Sequence, residues 1–159
     1  MCSLPDLPDD YFYHTQSGLV TCGGLSGDTP KSCLTFSGGQ WITSHTLLQQ
    51  RAFHSSWFSK HGILLMGGSV SLTTTEMLSA DGQSTPGFTL KYLLHSACTI
   101  QFDDLVIVTG GQKVSVYNIS GWVEDLPDLV QGRSDHGCGH FINNDNKMVD
   151  FLLFIKKRK

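Results

Sequence analysis

The chain is 159 residues long, 40% apolar and only 16% charged, with 17 glycines and a net charge of −3. That length bounds it to about one average domain, and the apolar share excludes a wholly disordered chain. The lack of a basic surplus excludes a domain-wide nucleic-acid footprint, and no apolar run nears the ~18–20 residues of a membrane span.

Residues 1–9 form an N-terminal segment without the basic start and apolar stretch of a secretory signal. Leu19-Val20-Thr21-Cys22 then runs into Gly23-Gly24. This reads as a short strand ending in a turn where glycine tolerates positive φ and lets a neighbouring backbone approach. Cys33 opens the next strand across that turn from Cys22; the two either bond as a cross-strand pair or remain as buried thiols. The polar loop between them carries Asp28 and Lys31, candidates for contact with a partner. Phe36 and Trp41 follow as an aromatic pair. Residues 46–54 come nearest to helical spacing but sit where a linker belongs, with Arg51 three residues before His54.

The same order recurs. Ile63-Leu64-Leu65-Met66 precedes Gly67-Gly68, and Val106-Ile107-Val108-Thr109 precedes Gly110-Gly111. In the second period, Met77-Leu78 and a long turn over 80–87 stand where an aromatic pair is expected. In the third, strands are predicted at 96–102, 105–109, 113–118 and around Trp122, with Tyr117 and Trp122 as the aromatic pair. His95 and His136 continue the series begun by His54, and Arg133 precedes His136 as Arg51 precedes His54. The first glycines of the doublets lie 44 and then 43 residues apart, and the histidines 41 and 41. Several independent markers on one period signal an array of repeated supersecondary units.

Four-strand units of this length, with glycine doublets, a Tyr–Trp pair, a Leu-Pro link and Arg-x-x-His, resemble kelch repeats of β-propellers. The resemblance covers about residues 10 to 150. It implies an all-β fold, an incomplete β-propeller of four-stranded antiparallel blades: blade 1 at 10–50, blade 2 at 51–92, blade 3 at 93–132, a partial blade 4 at 133–155 and a basic tail at 156–159. At this period the chain makes roughly three and a half blades, fewer than the four to eight of a typical propeller. A fourth glycine doublet is expected near position 153, where Phe151-Leu152-Leu153-Phe154-Ile155 is followed by Lys156-Lys157. The expectation is a fragment of a longer propeller whose open blade faces favour self-association.

The chemistry-bearing residues are sparse. No nucleophile elbow, zinc-protease helix, phosphate loop or dinucleotide fingerprint occurs, so no catalytic residue and no cofactor is expected. Asp9-Asp10 and Asp103-Asp104 fall in turns, where aspartate bonds its own backbone. Zinc ligands must lie ~2.1 Å from the ion, and residues related by blade symmetry stay further apart, so His54, His95 and His136 are read as structural, each bonding a neighbouring turn. Cys98 and Cys138 sit three and two residues past their histidines, an offset that predicts opposite faces and no bond between them. Asn118-Ile119-Ser120 fits the N-glycosylation pattern, and with Cys22 and Cys33 it leans the chain toward an extracellular setting. Arg51 and Arg133 either fork onto a partner's carboxylate or brace the next blade. The expected function is a non-catalytic scaffold presenting loops to a protein or glycan, with no nucleic acid and no membrane span. The alternative is the remnant of a secreted galactose-oxidase-like or other sugar-acting enzyme.

Overall fold

The computed structural model describes residues 7, 15–17, 19–24, 31–69, 72–133, 137–142 and 148–154. Three four-stranded antiparallel sheets follow one another along the chain. The first contains β1 (Thr15–Ser17), β2 (Val20–Cys22), β3 (Ser32–Ser37) and β4 (Gln40–Thr46). The second contains β5 (Ser55–Ser59), β6 (Gly62–Met66), β7 (Thr74–Leu78) and β8 (Ser84–Thr89). The third contains β9 (Cys98–Phe102), β10 (Leu105–Gly110), β11 (Lys113–Asn118) and β12 (Gly121–Leu126). A hairpin of β13 (Gly137–Ile142) and β14 (Met148–Phe154) comes after them. Each sheet is a simple meander in chain order, and the first strands β1, β5, β9 and β13 are neighbours in series. Sheets stacked face to face through their first strands make an incomplete β-propeller. The predicted linker over 46–54 is irregular from residue 47 onward, and no helix occurs among the described residues.

The unbroken apolar runs have a physical reason in this stacking. Side chains alternate faces along a strand, so a strand covered on both faces needs apolar residues at every position. Ile63 and Leu65 pack toward the first sheet with Cys22, Cys33, Leu47 and Leu78. Leu64 and Met66 pack the other way, with Trp57, Val106, Val108 and Tyr117. Ile107 turns to the far face of the third sheet with Ile100, Val114 and Val116. Each such burial contributes about 1.5–3 kcal/mol, so the second sheet is held from both sides.

The glycine doublets lock one sheet to the connection that leads into the next. Gly24 N donates to Arg51 O at 2.7 Å, Gly68 N to Leu94 O at 2.9 Å, and Gly111 and Arg133 exchange a pair of backbone bonds. At Gly67 (φ 68°) a Cβ would lie 2.5 Å from the Leu94 carbonyl oxygen, whereas at Gly111 (φ 60°) it would meet nothing within 4 Å. Positive φ alone costs about 1 kcal/mol, and a clash with backbone adds about 1–3 kcal/mol. Denaturant unfolding should therefore show Gly67→Ala losing at least ~2 kcal/mol and Gly111→Ala only about 1 kcal/mol. Equal losses would mean that the doublets serve the turn and not the joint.

One expectation changes. The long turn over 80–87 is shorter, because Ser84–Thr89 forms the outer strand of the second sheet. Proline and glycine mislead there: on an edge strand Pro86 needs no ladder donor, so it sits in β8 opposite Glu76. Cys98 is disulfide-bonded, and the expectation that it does not bond Cys138 falls on a residue whose side chain lies outside those described. Cys22 and Cys33 lie opposite each other in the β2–β3 register and form a disulfide.

Candidate binding cleft

In a meander, the first and third turns of each sheet share one end, while the second turns and the inter-sheet connections share the other. The connection end carries the backbone joints just described and a hollow of about 220 Å³ bordered by Leu48, Gln49, Arg51, Glu76 and Phe88. Arg51 is buried there and forks onto the chain's own groups. Its Nε donates to Glu76 Oε2 at 3.2 Å, Nη1 to Gly67 O at 2.7 Å and to Thr74 O at 3.1 Å, and Nη2 to Thr74 Oγ1 at 2.8 Å. Burial draws the guanidinium's pKa down, and the bond and charge of Glu76 oppose that. Of its two expected roles, Arg51 takes the brace. Arg133 is half-buried and pairs through its backbone with Gly111, and Lys31 is exposed with its carbonyl accepting Leu47 N. Asp28 and His136 lie outside the described residues.

The other repeat markers hold the sheets without forming a site. Phe36–Trp41 and Tyr117–Trp122 are register partners across the β3–β4 and β11–β12 hairpins, which is why each pair is separated by five. Tyr117 is fully buried and stacks on Phe88 of the second sheet, with ring centroids 5.6 Å apart. His54 is buried between the glycine doublets of the first and second sheets, its Cε1 close to Gly23 and its Cβ close to Gly68. His95 is exposed and stacks on Phe53 at 4.6 Å, so the two histidines do not share one role. Trp122 donates Nε1–H to Asp125 Oδ1 at 3.0 Å, and Lys91 Nζ stands 3.9 Å from its ring centroid. Asp125 also accepts from Lys91, Tyr92 and Ser115. The Lys91 bond foremost, then that of Trp122, holds its carboxyl well below the usual range; a carboxylate so fully bonded is a peripheral clasp with nothing left for a ligand.

A wider opening lies at the opposite end. A cleft of about 640 Å³ runs between the first and second sheets. Its apolar wall carries Phe58 and Ile42, which are 60% and 43% exposed, above the buried Ile63 and Leu78. Its polar wall carries His45, Lys60, His61 and Asp81 with hydroxyls of Ser37 and Ser44. His45 spans the seam: one ring nitrogen bonds Ser79 O at 2.8 Å and the other Ser44 Oγ at 3.1 Å. Asp81 accepts from the Ser79 hydroxyl and from Gln83 N, which lowers its carboxyl pKa and keeps it charged. The β5–β6 turn, with Lys60 and His61, also borders a smaller hollow of about 200 Å³ between the second and third sheets. No three His, Cys, Asp or Glu side chains converge as a metal site among the described residues. No helix among them is long and apolar enough to cross a membrane.

These stacked antiparallel sheets and the seam clefts between them define a propeller-type protein. No family model and no curated protein matches the chain. Among solved structures, YjhT is similar to it, with a TM-score of 0.69 at 11% identity over 85% of this chain. That likeness is one of fold. The chain spans 57% of the length of YjhT.

Proposed function

We propose that the chain is a kelch-type propeller segment acting as a non-catalytic scaffold that binds a protein or a glycan. The observation that carries this reading is the cleft between the first two sheets. An apolar strip with exposed Phe58 and Ile42 faces hydroxyls, imidazoles, Lys60 and Asp81, the mixed lining expected of a ligand site with a few convergent polar groups. Rigid sheets hold both walls, so little ordering cost falls on binding.

The test is amide chemical-shift mapping of the chain against a panel of neutral and acidic oligosaccharides and short peptides. Binders should shift residues 42–45, 58–63 and 79–82 and leave the connection end unchanged. Phe58→Ala with Ile42→Ser should weaken any such binder at least tenfold. Both side chains are exposed, so stability should move by no more than about 0.5 kcal/mol. Shifts confined to the connection end, or stoichiometric copper in the purified chain, would overturn the scaffold reading.

A further inference from the structure

We propose that Asn118 is an N-glycosylation acceptor, a site independent of whether the larger cleft binds anything. Asn118-Ile119-Ser120 is the one Asn-x-Ser/Thr triplet in the chain. It occupies the β11–β12 hairpin turn, where Asn118 pairs with Gly121 in register. Asn118 Oδ1 accepts from Ser120 N at 2.8 Å, so the acceptor's carbonyl is turned back onto the triplet's own backbone. Ile119 and Ser120 are exposed, and nothing in the core depends on them.

Two further observations point the same way. Asn118 borders the smaller hollow, about 200 Å³, across which stand Trp57, Ser59, Lys60, His61 and Asp104. A first sugar leaving Asn118 therefore has room beside the turn and polar neighbours for its hydroxyls, so the folded chain accommodates the modification without repacking. Cys22, Cys33 and Cys98 are all disulfide-bonded. Disulfides persist in oxidising compartments, the same setting in which asparagine-linked transfer takes place.

The co-reactant is an oligosaccharide carried on a lipid diphosphate. The Asn118 Nδ2 attacks the anomeric carbon, and a C–N bond forms as the C–O bond to the diphosphate breaks. The diphosphate leaves with the bonding pair, the amide loses one proton, and nothing is oxidised or reduced.

To test this, the full chain is expressed behind a cleavable secretory leader in cultured eukaryotic cells, with a second acceptor triplet appended at its C terminus to report delivery. Peptide maps are taken from cell-associated and secreted chain together, before and after peptide N-glycanase. The expected result is an Asn118 peptide that carries a glycan and reads as aspartate after enzyme treatment. Asn118→Gln and Ser120→Ala should each abolish that signal, while Ser120→Thr retains it. Unmodified Asn118 in chains whose appended triplet is glycosylated would overturn the proposal, as would a signal that survives Asn118→Gln.

Discussion

Glu76→Ala is expected to cost about 3–5 kcal/mol of unfolding free energy, the loss that follows when one member of a buried ion pair is removed. Arg51 and Glu76 are each 1% exposed, and the acid does two jobs. One oxygen holds Arg51 Nε; the other accepts Leu48 N at 2.6 Å, fastening the connection between the first two sheets to the strand β7. Without Glu76 the guanidinium remains buried and charged, because arginine cannot shed its proton. Arg51→Met should be milder, because the glutamate left behind keeps the bond from Leu48 N that fastens the connection to β7. The double variant Arg51→Met/Glu76→Leu should lose less than Glu76→Ala alone, since apolar replacement of both partners leaves no stranded charge. Urea unfolding of the four proteins measures all three differences. A double variant that loses the sum of the singles would mean that the two residues act separately.

What could be read from the chain follows from how far apart the cooperating residues lie. The doublets were legible because positive φ and close backbone approach both demand glycine, and the aromatic spacing because cross-strand partners of a hairpin lie close in sequence. The stacked fold followed from their common period. The clamp was half legible: Arg51 stood out by its place in the repeat, but its partner Glu76 belongs to the period that departs from the pattern, and nothing local marks it. The cleft was not legible. Ile42 and His45 come from the outer strand of one sheet, while Phe58, His61 and Asp81 come from another, and only face-to-face stacking brings them together. Loop composition pointed instead to the connection end, where Arg51 is turned onto the chain's own groups and Asp28 lies outside the described residues. The turn over 80–87 failed because residue type alone does not tell an edge strand from a turn.

Removing the Cys22–Cys33 bond should be nearly as costly as breaking the clamp, but with a different signature. The cysteines are 11 residues apart, and closing so short a loop restricts the unfolded chain by about 3 kcal/mol in the chain-entropy account. Cys22 and Cys33 are 2% and 0% exposed and sit against Leu47, Ile63, Leu65 and Leu78, so alanines there keep an apolar seam. Either single variant already abolishes the cross-link. Cys22→Ala, Cys33→Ala and the double variant should therefore lose about the same amount, near 3 kcal/mol, instead of adding. The slope of unfolding free energy against denaturant should also steepen, because an unfolded chain without the cross-link exposes more surface. Serine at both positions should cost more than alanine, since two hydroxyls would be buried among aliphatic side chains. If the single losses add in the double variant and the slope stays constant, the cysteines stabilise the first sheet by packing and the cross-link contributes nothing.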